Sequence, residues 1–135
     1  MKIRIRPEDR LFSEYIRTRD GWCCQRCNKW HDPGNLYSRM GLHNSHFHGR
    51  GKHSTRFDEM NCHALCYGCH QYFHANPIEH TNWMINKIGQ KEFDLLFIRA
   101  NTPGKPDVKL IKMWLKIELK KMNKKSEGFI IGARS

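Results

Sequence analysis

Two pairs of cysteines, each with CxxC spacing, constrain the fold of this chain more than any other feature of the sequence. Cys24 and Cys27 form the first pair, and Cys66 and Cys69 form the second, roughly forty positions further along. A CxxC turn brings two sulfur atoms to one metal ion, and zinc prefers four tetrahedral ligands. The four cysteines therefore predict a structural zinc site. It is predicted to be closed, because four thiolates leave no coordination position for chemistry.

The other possible ligands leave some alternatives open. Cys23 can replace Cys24, although Cys24 fits the CxxC spacing better. Cys62 has no partner in this scheme, and we interpret it as a small buried apolar residue. His31 and His63 are weaker candidates for additional ligands.

The charge balance favours a polyanionic partner. The chain has 135 residues and a net charge of +11, with 24 lysines and arginines against 13 aspartates and glutamates. Such a charge balance is typical of proteins that bind nucleic acid. The N-terminus has no apolar leader, and no apolar run approaches the roughly 18 residues that span a membrane. We therefore expect no membrane association and a cytoplasmic location, where thiols stay reduced.

Hydrophobic periodicity and turn residues divide the chain into segments. We expect helices over residues 7–19, 67–75, 78–88 and 90–100, and a short β-hairpin over residues 36–48 with Gly41 near its turn. A polar loop is expected over residues 49–60, a linker over 101–106, a long basic amphipathic helix over 107–125 and a loosely held tail over 126–135. This pattern predicts one domain over residues 1–100 and a C-terminal helix and tail over residues 101–135.

A second group of residues predicts an open site beside the closed one. His70 and His74 are spaced i, i+4 and share one face of the predicted helix, where both can bind one metal ion. His46 lies in a predicted strand, and Asn61 lies five positions before Cys66.

This chain resembles the HNH, or ββα-metal, nucleases in the order of its motif, which consists of His46, Asn61, the second CxxC pair and His70. A narrower similarity covers residues 45–71, SHFHGRGKHSTRFDEMNCHALCYGCHQ, which resemble the core of the phage NinG/Rap recombination proteins. The flanking segments YIRTRD and IGQKEFDLL also look similar, so the resemblance extends over roughly residues 12–97. It implies an α+β fold with a ββα-metal core. Together with the zinc site and the helices expected from the residues themselves, this gives a zinc-stapled core with flanking helices and a long C-terminal basic amphipathic helix, which the resemblance covers less clearly.

The resemblance also implies an activity and roles for the site residues. The expected function is a metal-dependent endonuclease for branched recombination intermediates such as Holliday junctions, located in the host cell cytoplasm if phage-encoded. His46 is expected to act as general base. His70 and His74 are expected to hold a divalent metal such as Mg²⁺, Mn²⁺ or Zn²⁺, which would neutralise charge at the scissile phosphate. Asn61 is expected either to orient the loop that carries the base or to bind metal directly. Arg50, Lys52 and Arg56 are expected to contact DNA phosphates.

The sequence departs from the HNH pattern just before the presumed base. Many HNH enzymes have Asp or His there as a metal ligand, whereas this chain has Ser45. His43 or His48 can compensate, and the NinG pattern has Asn at the position of His70.

Two other functions stay open: an HNH nuclease of restriction or homing type, and a zinc module that binds DNA without cutting it. A junction nuclease cuts paired strands, so a homodimer is expected, with residues 107–125 as its candidate interface. The other interpretations are that this helix only packs on its own domain with a basic outer face, or that it also lies along DNA.

Overall fold

The computed structural model describes residues 4–35 and 41–134 of the chain and has an α+β architecture. Its elements in chain order are α1 (Pro7–Arg19), β1 (Leu42–His46), β2 (Cys62–Cys66), α2 (Tyr67–Ala75), α3 (Pro77–Ile88), α4 (Gln90–Ala100) and α5 (Val108–Arg134). Short 3₁₀ turns lie between the first helix and the second strand. Within the described ranges, none of the helices combines the length and hydropathy that a membrane crossing requires.

Helix α1 begins where its sequence predicts. Pro7 occupies the first turn, where its missing amide proton costs nothing. Asp9 lies in the same turn, and its carboxylate accepts a hydrogen bond from the backbone amide of Arg6 at 2.8 Å. The apolar stripe of the helix, Phe12, Tyr15 and Ile16, is buried. The helix is therefore fixed both by its cap and by its packing.

The sheet pairs two strands that are distant in sequence. β1 and β2 run antiparallel, with Leu42 opposite Cys66 and His46 opposite Cys62. β1 follows Gly41 directly and pairs with β2 beyond a loop of residues 47–61, a pairing that the predicted local hairpin over residues 36–48 did not include. Residues 36–40 of that predicted hairpin lie outside the described residues.

Helix α5 packs against α1 and completes one hydrophobic cluster. Leu115 and Leu119 are buried there together with Phe12, Ile16 and Cys62. Of the two interpretations of this helix, packing on its own chain is the one that the structure shows. The predicted domain boundary at residue 100 stays a prediction.

The segment from residue 126, which was expected to be a loosely held tail, is helical in the structure. Helix α5 continues to Arg134. A single glycine inside a helix, such as Gly128, costs only about 1 kcal/mol relative to alanine, so it need not end the helix.

Candidate functional site

The four predicted zinc ligands come together. The sulfur atoms of Cys24, Cys27, Cys66 and Cys69 all lie within 4.8 Å of one another. The Cys27 and Cys66 sulfurs are 3.8 Å apart, and two thiolates on one tetrahedral zinc, at a bond length of about 2.3 Å, also lie about 3.8 Å apart. The cluster therefore fits a structural zinc, which it would hold with four thiolates. Cys23 is outside the cluster, so the choice of Cys24 by spacing was correct.

In each cysteine pair, a backbone amide donates a hydrogen bond to a cysteine sulfur. The amide of Cys27 donates to the Cys24 sulfur at 3.5 Å, and the amide of Cys69 donates to the Cys66 sulfur at 3.4 Å. Burial alone would raise the pKa of Cys24, but the neighbouring amides lower it to about 7. Arg26 adds positive charge, because its guanidinium lies 3.4 Å from the Cys69 sulfur and over the Tyr72 ring. The thiolate form that zinc requires is therefore favoured at Cys24, whereas burial raises the pKa of Cys66 and raises that of Cys69 to about 12, so those two thiols would release their protons on binding the metal.

Histidines line a cleft between the end of β1 and helices α2 and α3. The cleft has a volume of about 340 Å³, and its lining includes Ser45, His46, His70, His74 and His80. The i, i+4 spacing brings the rings of His70 and His74 into a stacked arrangement with centroids 5.7 Å apart. Imidazole is a common ligand for divalent transition metals, so this pair fits a metal ion by donor type. Among the described residues, the group of three or more possible ligands close enough to share one ion is the four-cysteine cluster.

The environment of His46 defines which ring nitrogen carries its proton. Nε2 of His46 lies 2.9 Å from the carbonyl oxygen of Arg56. A carbonyl oxygen only accepts, so we assign the proton to Nε2 and the free lone pair to Nδ1. Burial lowers the pKa of His46 to about 4, and the positive charge of Arg50 acts in the same direction. His46 is therefore neutral at physiological pH.

Asn61 is fully buried and bonded to the loop that follows β1. Its Nδ2 donates to the carbonyls of His48 and Thr55 at 2.9 and 3.1 Å, and its Oδ1 accepts from the amide of His48 at 2.8 Å. Its own carbonyl accepts from the amide of Phe47 at 2.8 Å. All its polar side-chain atoms are engaged with backbone, so of the two predicted roles the geometry favours orienting the loop over binding metal.

Arg56 does not lie where a DNA contact requires it. Its guanidinium forms two hydrogen bonds with the Asp9 carboxylate, at 2.9 and 2.6 Å, and one with the carbonyl of Arg4 at 3.1 Å. The side chains of the pair are only 5% and 6% exposed. We therefore withdraw Arg56 from the set expected to contact phosphate, since its charge is already neutralised inside the fold. Sequence spacing could not reveal this, because Asp9 is 47 positions away.

Arg50 and Lys52 keep positions near the surface. Arg50 is half-buried and lies in a groove of about 380 Å³ along α1, together with Arg10 and Arg17. Lys52 is exposed, and its ammonium group donates to the side chain of Asn101 at 3.1 Å. Both remain on the loop between β1 and β2, within reach of a polyanion.

Two further histidines lie near His70: His43, which the sequence analysis considered as a substitute for the ligand missing at Ser45, and His80, for which it predicted no role. His43 extends from β1 towards α2, where its Nδ1 lies 3.1 Å from Nδ1 of His70. His80 stacks on Phe73 with ring centroids 4.4 Å apart, and burial lowers its pKa to about 4. The alternation of side chains along a strand was the available signal for His43, since it puts His43 and Ser45 on one face. His80 carried no such signal, because its position depends on how α3 packs against α2.

These features define a small α+β protein with a four-cysteine cluster that can hold zinc and a separate cleft lined by histidines. The family model described as Bacteriophage Lambda NinG protein matches residues 4–127, so the chain belongs to the NinG family. The predicted resemblance to that family is thereby confirmed, and it points to a phage recombination-related function. No curated protein and no solved structure matches the chain significantly.

Proposed function

We propose that this protein is a metal-dependent DNA endonuclease with an HNH-type site, acting on branched recombination intermediates such as Holliday junctions. The observation that carries the proposal is the cleft in which His46 lies beside His70 and His74. A neutral imidazole with a free Nδ1 and two metal-binding imidazoles are the groups that phosphodiester hydrolysis needs. Membership of the NinG family supports the choice of a recombination substrate.

His46 supplies the base. Its Nδ1 accepts a proton from water while the water oxygen forms a bond to phosphorus. The bond from phosphorus to the 3′-oxygen breaks on the opposite side, and that oxygen takes a proton from solvent. The hydrogen bond from Nε2 to the Arg56 carbonyl holds the ring in the tautomer that can accept the proton.

His70 and His74 would hold the catalytic ion. When bound, a divalent cation supplies charge neutralisation at the scissile phosphate and at the leaving oxygen. Asn61 acts as a positioning residue, because its bonds to the backbone of His48 and Thr55 fix the loop that follows His46. Arg50 and Lys52 contribute positive charge for the DNA backbone.

A pair of substrates and a pair of variants test the proposal. Cleavage of a four-way junction and of a matched linear duplex is measured with Mg²⁺, Mn²⁺ or Zn²⁺, for the wild type and for His46→Ala. We expect the wild type to cut the junction in preference to the duplex. His46→Ala should lose roughly 10²–10⁴-fold in rate, the usual contribution of a general base, and should retain its zinc content and its affinity for the junction. His53→Ala is the matched control, because His53 lies on an exposed turn outside the cleft.

The same experiment distinguishes the alternatives. Equal cutting of linear duplex and junction would favour a restriction or homing type of nuclease. Binding without any metal-dependent cutting would favour a zinc module that only binds DNA. An unchanged cutting rate in His46→Ala would contradict the role of His46 as the general base.

We also propose that the protein acts as a homodimer, because a junction is resolved by two cuts in paired strands. Leu110, Met113 and Ile117 on α5 support this idea, since they are 62%, 58% and 50% exposed at helical spacing. They lie on a different face from the buried Leu115 and Leu119. Light scattering should give the mass of two chains, and Ile117→Glu should reduce it to one chain.

A further inference from the structure

An exposed aromatic side chain on helix α4, Phe97, lies near the histidine cleft. Phe97 is 56% exposed, and its ring centroid lies 6.3 Å from that of His48. The ring of His48 in turn contacts that of Phe47, with centroids 4.9 Å apart, and Phe47 lines the cleft. Two ring contacts therefore connect the cleft with the exposed face of Phe97.

Side-chain contacts hold this end of α4 against the loop that follows β1. The guanidinium of Arg99 pairs with the Asp58 carboxylate at 2.7 Å, and the carbonyl of Arg99 accepts a hydrogen bond from the Ser54 hydroxyl at 2.6 Å. Leu96, on the inner face of the helix, is fully buried. These contacts fix the backbone that carries Phe97 and leave more than half of that side chain exposed.

A basic groove lies next to Phe97, at the end of α4. It has a volume of about 360 Å³, its lining includes Lys52, Asn101 and Lys105, and the part of the chain that the structure describes contributes no carboxylate side chain to it. The side chain of Asn101 donates to the carbonyl of Phe97 at 2.9 Å and accepts from the ammonium group of Lys52 at 3.1 Å. The exposed ring and the positive charge are therefore neighbours.

An exposed ring beside a basic groove is the combination that binds single-stranded nucleic acid. In such sites the phosphates follow the positive charge, and a base stacks on the ring. We propose that Phe97 is a stacking platform for an unpaired base, and that the groove with Lys52 and Lys105 binds the phosphates of the strand that carries this base.

This inference rests on the proposed function and narrows its substrate class to branched DNA with unpaired nucleotides beside the branch point. A base inside an intact duplex is covered on both faces by its neighbours and would have to leave the stack to reach Phe97. The ring therefore favours a branch over a linear duplex.

DNA binding is measured on zinc-loaded protein without an added divalent cation, so that cutting does not interfere. The two probes are a forked duplex with unpaired arms and a linear duplex of the same length. Phe97→Ala should bind the fork roughly 5- to 150-fold more weakly, the loss that removal of one base–aromatic stack gives, and the linear duplex as the wild type does. Ile98→Ala is the matched control, because Ile98 is the next residue of the helix and is similarly exposed, at 59%, but has no aromatic face. It should bind both probes as the wild type does.

Two conservative variants separate stacking from simple apolar contact. Phe97→Trp keeps an aromatic ring and should retain the affinity for the fork, whereas Phe97→Leu keeps only an apolar side chain and should lose it. Zinc content and circular dichroism confirm that each variant is folded. Photo-crosslinking gives a direct readout: with 5-iodouracil at the unpaired position beside the branch, mass spectrometry should locate the crosslink at Phe97.

Equal losses on both probes, full affinity in Phe97→Leu or a crosslink to another residue would overturn the assignment. A fall from two chains to one in light scattering of Phe97→Ala would also overturn it, because the ring would then contact a second copy of the chain. A protein that stacks the unpaired base on Phe97 and cuts no DNA would retain this inference and refute the nuclease. Cutting of branched DNA, with unchanged affinity for the fork in Phe97→Ala, would retain the nuclease and refute the stacking.

Discussion

The ion pair between Arg56 and Asp9 gives the sharpest test of how the fold supports the site. Arg56→Met keeps most of the apolar stem of the side chain and leaves the Asp9 carboxylate buried without its partner. Removing one member of a buried pair typically costs 3–5 kcal/mol, or about a third to a half of the stability of a small domain. We expect a loss of about 4 kcal/mol at pH 7, because both groups are almost fully buried and share two charged hydrogen bonds.

The same pair predicts a pH dependence. Burial alone would raise the pKa of Asp9, but the hydrogen bonds from Arg56 and from the Arg6 amide hold it below its usual value. A carboxyl group whose pKa is lower in the folded state contributes stability above its unfolded pKa, and this contribution is lost as the pH falls through the folded pKa. The wild type should therefore lose stability below about pH 4. Arg56→Met should lose less over that range, because protonation relieves its unpaired carboxylate.

Urea unfolding followed by tryptophan fluorescence measures the loss on the zinc-loaded protein. Arg50→Met is the matched control, since it removes the same charge from a groove residue that has no ion pair among the described residues. We expect its stability to change by less than about 0.5 kcal/mol and its DNA affinity to fall. The double variant Asp9→Leu/Arg56→Met should be more stable than the sum of the two single losses predicts. A loss below about 1 kcal/mol in Arg56→Met, together with weakened DNA binding, would refute the structural role and return Arg56 to the phosphate contacts.

Three further predictions concern zinc, the core and DNA. Cys66→Ser should reduce the zinc content below one per chain and lower the unfolding midpoint, measured by metal analysis and thermal denaturation; full zinc content would contradict the four-thiolate site. Leu115→Ala should cost about 2–5 kcal/mol in urea unfolding, because the side chain is fully buried between α1 and α5, whereas Leu110→Ala, at an exposed position, should cost little. Junction affinity should fall steeply with salt, and Arg50→Ala should reduce the slope of log K against log salt by about 1; an unchanged slope would remove Arg50 from the DNA contacts.

Local signals in the sequence predicted much of this molecule. The limits of α1, α2 and α4 follow from caps and periodicity, and each CxxC pair follows from its own spacing, because these features depend on residues close together in the chain. The partner of β1 could not be derived in this way, since Leu42 pairs with Cys66 across the loop.

In the candidate site, too, local features were predicted from the sequence and long-range contacts were not. The placement of His70 and His74 on one helix face is a local property and was predicted. The burial of Arg56 depends on Asp9, and the approach of His43 to His70 depends on the packing of a strand on a helix. Both are long-range contacts, so neither residue type nor spacing could show them.

The cysteine cluster also has a consequence for the length of the chain that it encloses. A metal bound to Cys27 and Cys66, 39 positions apart, acts as a cross-link that closes one large loop. Closing a flexible loop becomes only about 0.6 kcal/mol more costly each time its length doubles. The length of the enclosed segment therefore has only a small effect on the entropic cost of closing this loop. Without the metal, the two ends of that loop are not cross-linked. Each added residue then raises the entropic cost of pairing β1 with β2.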